Sequence, residues 1–170
     1  MLLLAGILLA FPNQAKDIKL NASGGTSKVT SSIQKAIDQV SAAGGGRVTL
    51  SGGTFLSGPI ELKSGVELHI DAGAVLLASP DIKDFPNRTD ARHYNTEALP
   101  RKRNAAFIYA DEADNIAISG RGTIDCNGAC HVSRIPEEEY TGGWTWRRIY
   151  PTEETLPRVV FFAGCKNVSV

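Results

Sequence analysis

The chain has 170 residues, 42% of them hydrophobic, which is enough for one domain with a real core. Lysine plus arginine equals aspartate plus glutamate at 18 each, so there is no basic face to neutralise phosphates and a nucleic-acid partner is excluded. The same balance gives no global field for steering an acidic polymer, so any attraction of that kind must be local.

Met1 to Phe11 is almost wholly apolar. The run is too short to cross a bilayer as a helix, so no membrane span is expected. It has the length of the apolar part of an export signal, with a cut expected after Ala15. No Lys or Arg precedes it, and Asn13 is a poor residue three places before the cut. An apolar N-terminal strand is the other reading. The expectation is a signal over residues 1–15 and a secreted or periplasmic protein.

One helix follows. Ser31 as N-cap with Gln34 three places on makes a capping box. Ile33, Ala36, Ile37 and Val40 recur on one face, and Gly44 offers a left-handed C-cap ahead of Gly45 and Gly46. The spacing predicts a helix from about Ser32 to Ala43, its single apolar stripe suited to a lid on the end of something else.

Beyond Gly46 short β-rich runs alternate with Gly, Asn and Asp turns: Arg47 to Leu50, Thr54 to Leu56, Pro59 to Leu62, Val66 to Ile70 and Ala74 to Leu77. Strands so short, with no helices between them, predict an all-β architecture. A turn residue followed by alternating aliphatics then recurs as Gly65-Val66-Glu67-Leu68-His69-Ile70, Asn115-Ile116-Ala117-Ile118 and Asn167-Val168-Ser169-Val170, at offsets of 50 and 52 residues. Each copy is led in by another apolar strand (Pro59 to Leu62, Ala106 to Ala110, Arg158 to Ala163) and a short polar turn. A repeating unit that cannot bury its own apolar face predicts a solenoid; a β-sandwich with an N-terminal helix is the competing arrangement.

The excess length of each repeat falls in two insertions, near 79–104 and 127–157, rich in Pro and charged residues. Long irregular loops in a compact domain are usually functional. In solenoids they project from one face, often the binding face. The second insertion holds Trp144 and Trp146 beside Arg147 and Arg148. Aromatic faces stack on sugar rings and Arg forks a carboxylate, so these four are the candidate substrate-binding residues; tryptophans buried against the coil and solvated arginines are the alternative. The first insertion has a milder basic excess in Arg88, Arg92, His93, Arg101, Lys102 and Arg103.

The three cysteines leave an odd count. Cys126 could bridge Cys130 and leave Cys165 over, or all three could be small apolar fillers. With His131 they match no zinc spacing and lack a fourth ligand, so no metal and no cofactor is expected. Glycoside hydrolysis needs a carboxylic acid and a carboxylate. Asp111, Glu112 and Asp114 read as a solvated turn, Glu137 to Glu139 as a loop charge run, and Asp125 as a turn cap. No catalytic residue is assigned in this chain. The sequons at Asn21, Asn87 and Asn167 occur near the chance rate, with Asn167 expected to be occluded.

Taken in order, several stretches resemble glycoside hydrolase family 28, the polygalacturonases within the pectin-lyase-like superfamily. They are Ile33-Gln34-Lys35-Ala36-Ile37-Asp38 with Ala43-Gly44-Gly45-Gly46-Arg47-Val48, Gly53-Thr54-Phe55-Leu56-Ser57-Gly58-Pro59-Ile60, Asn115 to Asp125, and Arg158-Val159-Val160-Phe161-Phe162 with Cys165-Lys166-Asn167-Val168. The resemblance covers nearly everything after residue 28 and rests on order and spacing, no one motif being decisive. It implies a right-handed parallel β-helix with an N-terminal capping α-helix, incomplete at the C-terminus. It implies a monomer without cofactor that hydrolyses galacturonate-containing polysaccharide by inversion with aspartates. The family's Asn-Thr-Asp, Asp-Asp, Gly-His-Gly and Arg-Ile-Lys motifs are absent here, Asn95-Thr96-Glu97 being similar in letters only. The catalytic residues are therefore expected beyond Val170, and the fragment alone is expected to be inactive. A pectate or pectin lyase-type β-helix, using Ca²⁺ and a basic residue, and a non-catalytic carbohydrate-binding β-helix are the rival readings.

Overall fold

The computed structural model describes residues 15–22, 27–86, 105–131 and 157–170. Its first strand, β1 (Lys16–Asn21), precedes helix α1 (Thr30–Ala42). The chain then winds through β2 (Gly46–Ser51), β3 (Gly53–Ser57) and β4 (Ile60–Glu61). A second circuit runs β5 (Val66–Ile70), β6 (Ala74–Ala78) and β7 (Ala106–Asp111). A third runs β8 (Asp114–Gly120), β9 (Thr123–Asp125) and β10 (Arg158–Ala163), and β11 (Lys166–Ser169) opens a fourth.

Each circuit visits three sheets in the same order, and all pairings are parallel. The first sheet runs β1-β2-β5-β8-β11, the second β3-β6-β9 and the third β4-β7-β10. Period-2 alternation turns one side of every strand inward, and stacking then lines those side chains into columns. Ile18, Val48, Leu68 and Ile118 form one in-register column. Phe55, Leu76 and Ile124 form another, and Ile60, Ile108 and Val160 a third. Val48, Leu68, Leu76, Ile60 and Ile108 are fully buried, so the core is the bore of the tube. The aliphatics of the three sequence copies do pile up as rungs of one sheet, since Leu68 pairs with Ile118 and Ile116 with Val168.

The turn residues that open each copy share one conformation. Gly65, Asn115 and Asn167 have φ of 77°, 55° and 53°, the left-handed region that Gly and Asn tolerate. The amide of Asn167 donates to Asp114 Oδ1 at 2.8 Å, tying one turn to the turn beneath. One step earlier in the stack, a Cβ on Gly45 would come within 2.7 Å of the Gly65 carbonyl oxygen, so only glycine fits there.

The helix buries Ile33, Ala36, Ile37 and Val40, as the stripe requires, and lies against β1, β2, β4 and β5 at the end of the stack. The capping box does not form: α1 starts at Thr30, and no side chain caps it. Gln34 turns to β4 instead. Its Oε1 accepts the Glu61 N–H at 2.9 Å and its Nε2 donates to the Glu61 carbonyl at 3.0 Å. As β4 is an edge strand, those two groups lack a strand partner, and the amide supplies one. Thr30 Oγ1 similarly accepts the Gly58 N–H at 2.7 Å.

β1 has no counterpart among the sequence-predicted strands. Lys16–Asn21 carries only Ile18 and Leu20 as apolar residues, too few for a strand signal alone, yet it pairs over its whole length with β2. Among the described residues no helix is long and apolar enough to cross a membrane.

Candidate substrate-binding edge

Both insertions leave the tube from the same edge. The chain departs after β6 and after β9, in the second sheet, and returns at β7 and β10, in the third. In the first circuit Gly58 and Pro59 close that edge directly. Insertions confined to one edge mark the face a solenoid uses for binding.

The roots of the insertions are pinned. The Ser79 N–H donates to the Ser57 carbonyl at 2.8 Å, and the Asn127 amide to the Ala78 carbonyl at 3.1 Å. Asp125 caps its turn as expected, accepting the Asn127 N–H at 2.7 Å. His131, buried, places Nε2 3.1 Å from the Ser79 carbonyl and is the donor there. Phe85 wedges edge-on between Phe107 and His131, at centroid distances of 6.2 and 6.0 Å. Lys28 closes on Asp84 at 2.7 Å, and the Ser79 hydroxyl donates to the same carboxylate. Those two bonds, Lys28 first, hold the Asp84 carboxyl below its ordinary range.

Beside this edge the third sheet carries an aromatic column that sequence reasoning missed. Tyr109 and Phe161 are in register and stack at 5.9 Å with planes 28° apart. The Arg158 guanidinium lies 4.7 Å from the Phe161 ring centre, within cation–π range. The signal was present: the second and third lead-in strands put an aromatic at the same position, 52 residues apart. The first sheet differs. Its outer face has a shallow groove of about 560 Å³ lined by Asp17, Arg47, Glu67, Asn115 and Asn167 among others. It carries both signs of charge and no aromatic ring.

Trp144, Trp146, Arg147 and Arg148 lie outside the described residues, as do Glu137 to Glu139 and the basic residues of the first insertion. Cys126, Cys130 and Cys165 are unpaired thiols; burial, with Asp125 adding to it, pushes the Cys126 thiol up. Asn167 is exposed rather than occluded. Among the described residues no group of three or more His, Cys, Asp or Glu is placed to hold a metal ion.

A general acid for glycosyl transfer must stay protonated near neutrality, so its pKa has to be raised. Where carboxyl groups among the described residues are displaced, the displacement is downward. Glu67 is lowered chiefly by the Ser119 hydrogen bond, Asp71 chiefly by one from Ser51, and Asp84 as described above. None of these three is set to give a proton to a leaving group.

Three parallel sheets stacked in register around one apolar bore define the parallel β-helix class. The polygalacturonase of Erwinia carotovora ssp. carotovora superposes with a TM-score of 0.58 at 27% identity, over 92% of this chain and 42% of that one. The exopolygalacturonase of Thermotoga maritima gives a TM-score of 0.61 at 25% identity, over 91% of this chain and 40% of that one. In sequence, the endo-polygalacturonase of Pectobacterium carotovorum subsp. carotovorum is 32% identical over 85% of the chain. The exo-poly-alpha-D-galacturonosidase of Dickeya chrysanthemi is 35% identical over 70% of it. No protein-family model matches the chain. The fold is thus a right-handed parallel β-helix, and the chain belongs to the polygalacturonase-like glycoside hydrolases of family 28. It spans 36% of the length of the Pectobacterium relative and 20% of the Dickeya one.

Proposed function

We propose that this chain forms the capped first coils of a pectin-degrading glycosidase that hydrolyses galacturonate-containing polysaccharide with inversion. The observation that carries the reading is the kinship to polygalacturonases along 85% of the chain, joined to one edge at which the chain departs into and returns from both insertions. The catalytic aspartates belong to coils C-terminal to Val170. In inverting enzymes the two carboxyl groups stand roughly 6.5–9.5 Å apart with a water between them, and Glu67, Asp71 and Asp84, all held below their ordinary range, are not tuned as the acid of such a pair.

In this reading the second insertion supplies the substrate contacts. Trp144 and Trp146 stack on sugar rings, and Arg147 and Arg148 take uronate carboxylates. The protein is exported, works outside the cytoplasm or in the periplasm, and acts as a monomer without metal or cofactor and without nucleic acid as partner.

The test compares residues 1–170 with the same chain extended through its downstream coils, each incubated with polygalacturonate. The extended protein is expected to release reducing ends without any ultraviolet-absorbing unsaturated product, and the shorter one to release none. An unsaturated product would establish the lyase reading instead. Reducing ends from residues 1–170 alone would overturn the placement of the catalytic groups.

A further inference from the structure

Ser79 stands where the chain leaves β6 for the first insertion, and it is almost wholly buried. Its polar groups point to three different parts of the chain. The N–H donates to the Ser57 carbonyl at 2.8 Å, on the coil beneath. Along its own insertion, the hydroxyl donates to Asp84 and accepts the Asp81 N–H at 3.2 Å. Toward the second insertion, the carbonyl accepts from His131 Nε2 at 3.1 Å, across 52 residues of chain. A carbonyl can only accept, so Nε2 carries the hydrogen in that bond whichever charge the ring takes.

Ring packing runs beside the hydrogen bonds. Phe85, also buried, meets His131 edge-on at 6.0 Å and Phe107 of β7 at 6.2 Å. It thus touches both the departure of the second insertion and the strand to which the first returns. The turn Gly128–His131 needs such an anchor. Gly128, Ala129 and Cys130 are exposed, and His131 is the buried residue of that turn. A buried carbonyl that loses its donor has no water to replace it, so the bond resists opening. Packed side chains joined by such bonds carry a shift at one end to the other.

We propose that the departure points of the two insertions form one unit and that His131 is its positioning residue. Through Ser79 and Phe85 it sets where the second insertion leaves the coil by where the first one does. Resting on the proposed function, in which the second insertion holds the substrate, the unit governs substrate binding and leaves the chemistry of the downstream aspartates alone.

The test is hydrogen exchange read by mass spectrometry on the purified chain. His131→Phe keeps a ring against Phe85 but has no donor, whereas His131→Gln keeps one. In His131→Phe the amides of residues 79–86 and of residues 127–131 are both expected to exchange about 10-fold faster, with β2 and β5 unchanged. His131→Gln is expected to recover most of the protection. Unchanged exchange over 79–86 in His131→Phe would overturn the unit. Equal acceleration in β2 and β5 would overturn it too, by making His131 a support of the whole fold. Phe85→Leu guards against a His131 variant that does not fold. It is expected to speed exchange over 127–131, and no change there also refutes the unit. In the chain extended through its downstream coils, His131→Phe is expected to raise KM for polygalacturonate about 5–10-fold with kcat within about 2-fold. An unchanged KM would overturn the positioning role. Absence of hydrolysis by the extended wild-type protein would instead refute the proposed function, and the exchange measurement would still decide the unit.

Discussion

Leu68 sits in the middle of the longest interior column, between Val48 below and Ile118 above, and is fully buried. Replacing it with alanine removes carbons worth about 0.8 kcal/mol each, about 2–2.5 kcal/mol of transfer energy in total. The coils on either side are held apart by their backbone ladders, so the space cannot collapse and a cavity term adds to the loss, bringing it to about 3–5 kcal/mol. For a chain of this size that is a fall of about 6–20 °C in melting temperature. Val168 is the control, because it stacks on Ile116 alone and is 42% exposed. In a one-dimensional stack a residue contributes through its neighbouring coils, so Val168→Ala should cost less than about 1 kcal/mol. Urea titrations followed by circular dichroism measure both variants. Equal losses, or a loss at Leu68 under about 1 kcal/mol, would refute the picture of one continuous bore.

Two further outcomes follow from the same geometry. Gly120 has φ of 108°, and a Cβ there would stand 2.0 Å from the Ile70 carbonyl oxygen, whereas Gly73 at φ 82° has open space around it. Gly120→Ala is expected to cost about 2–5 kcal/mol and Gly73→Ala about 1–2 kcal/mol; denaturant midpoints that rank them the other way would refute the stacking contact. Asp84, depressed by Lys28 and Ser79, contributes stability that is present above its ordinary range and is lost as pH falls through its lowered folded value. Asp84→Asn should therefore melt lower at neutral pH and lose less on acidification below about pH 4, and parallel acid limbs for the two proteins would show that the Lys28 contact is not formed in solution.

The sequence by itself determined the repeating unit, because its signals are local. Alternating aliphatics at Val66, Leu68 and Ile70 need only the period of a strand to be recognised. Gly65, Asn115 and Asn167 announce their left-handed turns through residue type alone, and the stripe from Ile33 to Val40 announces a helix. The tertiary structure decided everything that depends on neighbours along the stack. Lys16–Asn21 becomes a strand because β2 offers it a full parallel ladder. Gln34 abandons the helix end because β4 presents an unpaired N–H and carbonyl within its reach. Tyr109 meets Phe161, and His69 meets Ser119, across 52 and 50 residues of chain. Those separations are set by how many residues each circuit diverts into its insertion, a length no local pattern encodes. Only closure of the coil, with hydrogen bonds locking the register of each strand on the last, determines which side chains come to face one another.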